Sequence, residues 1–503
     1  MANFERLTGQ LNTTGTPAIV EKAWCELEAE SYNSRFEGLM AANVTSGVDS
    51  RVPKSGRIGS ARKRMAAIEQ QVNQDLQKLL KRAEAFAKKS DITIDQATKM
   101  IQAADLIDSE LKANGLTYRG ESFNFALATP YSISKSTALD IAGLSTSALQ
   151  ATEKLAKQDP YVDTLLNLGA TGLEKKLWKE SQQGYISSAP LNRIDIVAGK
   201  VIEFGPTYTD GFGTSQILAE SFGSGSESLQ VLSTTFQDLY REFCSKRGIQ
   251  ERKNPNLGLV YIPETYDMRA EMRALGNGLV RTNRFGVVGM GRPFDISEMD
   301  ADMLYYYLKP SMLDNLNGGV IQEGELLVQA YDSGICLVPP LKEQLGKKTV
   351  LALFAMYPEF YSQELGDSNY QTLMSFITPT TIVTDETKKP DDGEWVLKPA
   401  GEGSCNGVTS TPDCSFDESF ELAKADYRSG NADVWVIQPK LDERMEKVWV
   451  KAPKKELRLA TNVSLKQTLM VAGGKPAGGF ATVSEKWIID DGGFGFPIRF
   501  AGN

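Results

Sequence analysis

The chain has 503 residues, of which 41% are hydrophobic and 24% charged, and its formal net charge is −9. That length supports two to four structural units around a sizeable core, and the acidic balance argues against a general nucleic-acid binder. Histidine is absent, which removes Ser-His-Asp and Cys-His catalysis, histidine-ligated zinc and histidine acid–base chemistry.

Catalysis must then rest on Asp, Glu, Lys, Arg, Tyr, Cys or a bound metal. Phosphoryl chemistry suits that set, since it needs positioning and charge neutralisation more than a tuned base. The five cysteines (Cys25, Cys244, Cys336, Cys405, Cys414) are scattered, with no CxxC pair. Together with an N-terminus unlike a signal, they point to a reducing cytoplasm. No apolar run approaches the length of a membrane span, so no membrane partner is expected.

Residues 1–60 read as an irregular segment with Thr-, Gly- and Ser-rich patches. From Ala61 to Lys88, Met65, Ile68, Val72, Leu76, Leu79, Leu80, Ala83 and Phe86 recur at three- and four-residue spacing, which predicts an amphipathic helix with a core-facing stripe. Asp91–Ala113 continues in that style, so 61–183 is expected to be a helical region. It carries no catalytic motif; capping the site, shaping an acceptor site and dimerisation are the roles open to it.

Residues 194–197 and 200–204 are short β-rich runs separated by Ala198-Gly199, the pattern of a hairpin. The Gly/Ser-rich passage Gly211–Ser228 reads as a loop leading into a helix over 229–246. Strands are expected at 257–262 and 285–290 among helical stretches, which predicts an α/β layer. A turn at Asp391-Asp392-Gly393 precedes a strand at Trp395. Ser415–Arg428 reads as a helix and Val434–Gln438 as a strand.

Three constellations carry chemistry. In the first, Arg193 and Asp195 are two residues apart on a strand and so share a face, and the hairpin returns Glu203 beside them. Two carboxylates suit Mg²⁺ and the arginine suits a phosphoryl group; a solvated cross-strand salt bridge is the alternative. In the second, Lys347 and Lys348 open an apolar helix. Cations are disfavoured at that end, which a bound anion would offset; two surface lysines are the alternative. The third is Trp395–Val408, an apolar run ending in Lys398-Pro399 and then a loop holding Gly401, Gly403, Ser404 and Gly407. Such loops bring backbone N–H groups close to phosphate oxygens, although a hairpin turn with a stray lysine reads similarly. The loop is not a Walker A motif, because Gly-Lys-[Ser/Thr] is missing. The strand ending in Gln438-Pro439-Lys440 follows, placed to line an adenine pocket.

The order of lysine–helix, Pro379-Thr380, Lys-Pro–glycine loop and Ile-Gln strand resembles the ATP-grasp superfamily. The Arg/Asp/Glu cluster precedes the nucleotide lysines instead of following them. In this the chain is similar to the circularly permuted branch that includes glutathionylspermidine synthetase-like peptide and amide ligases. Ala189–Asp195, Val201–Phe204, Tyr305–Pro310 and Gly318-Gly319 look like that branch's segments, and the likeness covers about residues 185–500.

The resemblance implies an α/β (α+β) fold, with 184–345 as the metal- and substrate-binding part and 346–503 as the nucleotide-binding lobes. It implies an ATP-dependent carboxylate–amine ligase working through an acyl phosphate, with ATP and Mg²⁺ as cofactors and a carboxylate and an amine as substrates. Arg193 would stabilise the transferring phosphoryl, and Asp195 and Glu203 would bind Mg²⁺. Lys348, Lys398, Gly401, Gly403, Ser404, Gly407, Gln438 and Lys440 would hold the nucleotide. A non-catalytic ATP-binding scaffold and a small-molecule kinase on the same fold are the competing readings. Two departures stand out. Gly205 replaces the asparagine expected after the metal glutamate, with Thr207 or Asp210 as substitutes. No arginine follows Gly478-Gly479, read as the final glycine-rich turn.

Overall fold

The computed structural model describes residues 54–90, 92–118, 121–170, 172–181, 189–206, 211–222, 228–261, 269–291, 293–307, 321–339, 342–401, 407–411, 415–430, 433–487, 489 and 493–502. The chain divides into two units, residues 1–106 and 107–503.

In the first unit, α1 (Lys54–Ser90) starts seven residues earlier than the sequence pattern predicts and is followed by α2 (Ile94–Ala113), whose last turns are counted with the second unit. The start of α2 is written locally as a reciprocal cap. Thr93 Oγ1 accepts the Gln96 N–H at 3.2 Å, and Gln96 Oε1 accepts the Thr93 N–H at 3.0 Å. Ala83, Phe86 and Ala87 of α1 and Ala97, Ile101 and Ala104 of α2 are buried, whereas Leu76 and Leu80 of the stripe expected to face a core are 50% and 40% exposed. Arg82 forks onto the Asp105 carboxylate at 2.7 and 3.0 Å.

The second unit opens with β1 (Thr117–Tyr118), β2 (Glu121–Ser122), β3 (Phe125–Leu127) and β4 (Tyr131–Ser134). β3 and β4 depart from the helical region expected over 61–183. Their partners lie near the C-terminus, with Ala126 opposite Val450 and Tyr131 opposite Ile498, so no local periodicity announces them. Then come α3 (Lys135–Gln158), α4 (Pro160–Asn167) and α5 (Gly172–Ser181). Ser134 caps α3. Asp159 ends α3 with its N–H and caps α4 with its side chain, with Pro160 in the first turn.

β5 (Leu191–Val197) and β6 (Lys200–Gly205) form the expected hairpin. Ala198 (φ 50°) and Gly199 (φ 71°) both take the left-handed region, as a type I′ turn requires. Next is α6 (Phe212–Ser221), in the passage read as a loop. That reading fails because tertiary burial overrides a weak local signal. Phe212–Leu218 are buried, and the Glu271 carboxylate accepts the Gly211 N–H and the Thr214 hydroxyl, a cap supplied from elsewhere in the chain.

α7 (Ser228–Arg247), β7 (Leu257–Tyr261), α8 (Arg269–Val280), β8 (Val288–Gly291), β9 (Met303–Tyr307), α9 (Ile321–Asp332) and β10 (Cys336–Val338) build the α/β layer. Its four strands are all parallel, in the order β10-β9-β7-β8. α10 (Thr349–Met356), α11 (Pro358–Leu365) and α12 (Asp367–Phe376) lead to a small antiparallel sheet. That sheet holds β11 (Thr381–Ile382), β12 (Trp395–Pro399), β13 (Thr409–Ser410) and β14 (Trp435–Pro439), in the order β11-β14-β12-β13, with α13 (Phe416–Ser429) against it.

The last strands are β15 (Arg444–Lys451), β16 (Arg458–Ala472), β17 (Lys475–Ser484) and β18 (Phe494–Ala501). β15 pairs with both β3 and β16, so β15-β3-β18-β17-β16 closes on itself. β5 joins the other half of β16, and β6 ends the sheet. The sheet therefore unites β5 and β6 with the final strands, across the boundary expected at residue 345. Gly478-Gly479 lie within β17, and the turn before that strand is Gly473-Gly474.

Alternation gives the β5–β6–β16 part of this sheet two different faces. Ile194, Ile196, Val201, Phe204, Leu469 and Val471 are at most 2% exposed and pack with residues of α3 and α10 in one core. Arg193, Asp195, Glu203, Lys466 and Thr468 point the other way.

Candidate functional site

Strand register brings the first constellation together. Asp195 lies opposite Glu203 on β6 and opposite Thr468 on β16, and Arg193 lies opposite Gly205 and Met470. Asp195 Oδ1 accepts the Thr468 hydroxyl at 3.0 Å and stands 3.6 Å from Arg193 Nε. Oδ2 accepts from Lys466 Nζ at 3.2 Å. Burial alone would raise the Asp195 pKa. The charges of Lys466 and Arg193, with the Thr468 and Lys466 hydrogen bonds, outweigh burial and hold the carboxyl down at about 2. The hairpin is anchored by Glu443, whose Oε2 accepts the Ala198 N–H at 2.8 Å and Gln467 Nε2 at 2.7 Å, and whose Oε1 accepts the Tyr131 hydroxyl at 3.0 Å.

Lys348 links this face to the small sheet. It is buried just before α10, with Nζ 3.5 Å from Glu203 Oε1. Its backbone N–H donates to Ala400 O at 3.0 Å, two residues after Lys398. Lys398 lies opposite Val436 on β14, and Gln438 opposite Val396. Alternation puts Lys398, Val396, Val436 and Gln438 on one side of the sheet. Leu397 and Ile437 on the other side pack against Phe416, Phe420 and Ala423 of α13.

Gln438 is 1% exposed, and its Nε2 donates to Thr380 Oγ1 at 2.9 Å. The Thr380 hydroxyl in turn donates to Thr378 O, and the Thr378 N–H reaches Val201 O on β6 at 3.0 Å. Gln438 Oε1, Thr378 Oγ1 and Thr349 Oγ1 are buried with no hydrogen-bond partner. Orphaned buried polar atoms are costly and rare. Gln438 and Thr378 are linked through Thr380, and Thr349 directly follows Lys348; this donor set fits ATP, which has a polar adenine edge and anionic phosphates.

The glycine loop begins under a clamp. The Asp433 carboxylate accepts the Gly401 N–H with one oxygen and meets Lys347 Nζ at 3.2 Å with the other, and Lys347 also donates to Leu168 O. A Cβ at Gly401 would fall 2.7 Å from Asp433 Oδ2, so a side chain there would displace the carboxylate. Gly407 has φ 69°, and a Cβ there would fall 2.9 Å from Pro399 Cγ.

Of the expected site residues, the structure brings together Arg193, Asp195, Glu203 and Lys348, and it connects them through Ala400 and Thr378 to the strands of Lys398 and Gln438. Gly401 and Gly407 flank the loop; Gly403 and Ser404 lie outside the described residues, as do Thr207 and Asp210. Lys440, two residues after Gln438, pairs its Nζ with Glu394 at 2.8 Å and sits 5.0 Å over the Trp487 ring. Sequence reasoning missed Lys466, Thr468 and Asp433. Their only signal is long-range strand pairing and loop contact, which no spacing within one motif reveals.

The expected Mg²⁺ ligands do not fit the ion as they stand. Each carboxylate already meets a protein cation, and among the described residues no three acidic or cysteine side chains converge as a metal cage.

No family profile matches the chain, and no curated protein matches it. Among solved structures, it is similar to a glutathione synthetase-like effector from Globodera pallida in apo form, at 14% identity and a TM-score of 0.52 over 80% of this chain and 97% of that one. A γ-glutamylcysteine synthetase-like protein from Methylobacillus flagellatus overlaps 69% of this chain and 84% of its own at 10% identity, but its TM-score of 0.28 carries no argument. The chain is thus a mixed α/β protein with the fold of a synthetase-like protein. Among the described residues no helix is long and apolar enough to cross a membrane.

Proposed function

We propose that this chain is an ATP-dependent carboxylate–amine ligase of the permuted ATP-grasp type. The observation that carries the reading is the junction at Lys348. Its side chain faces Glu203 at 3.5 Å while its backbone holds Ala400, which ties the charged face of β5 and β6 to the strand that opens the glycine loop. The shared fold of a glutathione synthetase-like protein supports the same reading.

In this mechanism Lys348, Lys398 and the backbone of the Gly401–Gly407 loop bind the triphosphate, and Gln438 Oε1 accepts from the adenine amine. Arg193 and Lys466 face the γ-phosphoryl as a substrate carboxylate oxygen attacks it and ADP leaves. The loop shields the resulting acyl phosphate from water. An amine then attacks the acyl carbon, phosphate departs, and the amine proton passes to a carboxylate or to phosphate.

Purified protein given ATP with pooled amino acids, peptides and polyamines should release ADP and form an amide that mass spectrometry identifies. Unchanged turnover in both Lys398→Ala and Arg193→Ala would sink the assignment. The pairing of both expected metal carboxylates with lysines favours one second reading, a nucleotide-binding scaffold. Tight ATP binding without turnover across that screen would support it, and a phosphorylated product would instead indicate a kinase.

A further inference from the structure

Asp195 is the charge at the centre of the site, and the structure has already balanced it. Its side chain is 6% exposed, and both oxygens are engaged, one by Thr468 and the other by Lys466, with Arg193 close by. Arg193 and Lys466 meet the Asp195 carboxylate and Lys348 meets that of Glu203, so each expected metal ligand already carries a protein cation. A hard divalent cation seeks several oxygens at once and is repelled by an ammonium already seated on them.

Gly205 supplies an independent observation. It stands opposite Arg193, on the face that carries the cluster. Its φ lies outside the left-handed region, and a Cβ built on it would find no heavy atom nearer than 3.5 Å. Neither backbone nor packing demands glycine there, yet the position offers no side-chain donor.

We propose that the Lys466 ammonium takes the place of a divalent cation at Asp195. Asp195 is then a positioning residue rather than a metal ligand. It holds Arg193 on one oxygen and Lys466 on the other, 20% and 23% exposed, so that the two cations flank it and face an anionic oxygen group of the substrate, phosphoryl or carboxylate. The ligase reading decides only which anion is seated; the charge arrangement stands without it.

The test uses the full-length, nucleotide-free protein and Mn²⁺, with free metal followed by electron paramagnetic resonance. The wild type should show no Mn²⁺ uptake that Asp195→Asn removes. The Lys466→Met/Gly205→Asn variant clears the ammonium and adds a donor, and it should gain one Mn²⁺ site at least about tenfold tighter than any in the wild type. Adding Asp195→Asn to that pair should abolish the gained site. A wild-type chain that takes up one equivalent of Mn²⁺, lost in Asp195→Asn or Glu203→Gln, overturns the proposal; so does a double variant that folds and gains nothing.

If the double variant fails to fold by circular dichroism, calorimetric titration with inorganic tripolyphosphate decides. Binding should persist in the presence of a chelator and weaken about tenfold in Lys466→Met, because one charge-assisted contact is lost. Binding that requires added metal overturns the proposal. Absence of amide product with any amine would remove the ligase reading and leave these results standing.

Discussion

Asp433 holds the N–H of Gly401, the first glycine of the loop, and its other carboxylate oxygen holds the Lys347 ammonium at 3.2 Å. One side chain thus ties the mouth of the loop to the residue beside Lys348. Asp433→Ala strands the Gly401 N–H and takes the carboxylate from the buried Lys347, which keeps its bond to Leu168 O, and urea unfolding should show a loss of about 1–3 kcal/mol. The KM for ATP should rise more than kcat falls, since the loop start is no longer positioned. A variant with unchanged stability and unchanged KM would show that the clamp does nothing.

Glu443 should matter although it lies outside the proposed chemistry. It accepts from Ala198, Gln467 and Tyr131, and it fixes a turn in which a non-glycine residue has φ 50°. Glu443→Ala should cost about 1–3 kcal/mol in urea unfolding. Tyr131→Phe, which removes one donor, should cost about 1 kcal/mol or less. Equal stability of Glu443→Ala and wild type would contradict this role.

The acid limb of stability should carry the signature of Asp195. Its carboxyl is held at about 2, below the ordinary value of 3.8 that the unfolded chain restores. A depressed carboxyl stabilises fully above the unfolded pKa, and that contribution is lost as pH falls from about 4 towards 2, at about 2 kcal/mol for a shift of this size. Asp195→Asn should therefore be less stable at pH 7 and flatter between pH 4 and 2, as read from urea midpoints. Parallel pH profiles of variant and wild type would refute the linkage.

Lys342 and Glu153 form a buried ion pair at 2.8 Å, with side chains only 2% and 5% exposed. Desolvation pushes the Lys342 pKa down despite the Glu153 charge. Lys157 also pairs with Glu153, at 2.8 Å, so Lys342→Met leaves the buried carboxylate with one cation in place of two and should cost about 1–3 kcal/mol. Lys342→Met combined with Glu153→Leu should recover most of that loss, with Lys157 left to solvent. A double variant as unstable as the single would contradict the argument.

Much of the fold is legible wherever the signal is local. The helix α1, the Ala198-Gly199 hairpin, and the strands at Leu257, Trp395 and Trp435 all follow from periodicity and turn chemistry in adjacent residues, although the α1 stripe leaves Leu76 and Leu80 exposed. α6 is not legible, because its burial and its Glu271 cap come from distant chain. β3 and β4 are equally silent, since three- and four-residue strands carry no period of their own. The site divides in the same way. Arg193, Asp195 and Glu203 declare themselves through alternation across a short hairpin. Lys466 and Thr468 reach Asp195 only because β16 pairs with β5, a register that neither strand announces. That missing partner changes the chemistry, turning an apparent metal pair into a carboxylate balanced by lysine.

The central claim is that ATP is spent on an acyl phosphate, and oxygen transfer tests it most directly. The full-length protein is given ATP with amino acids and peptides bearing ¹⁸O-labelled carboxylates, together with pooled amines, and the inorganic phosphate is weighed by mass spectrometry. The account predicts one ¹⁸O in each phosphate released, in amounts matching the amide formed. Unlabelled phosphate accompanying ADP, or label retained in a phosphorylated product, would contradict it.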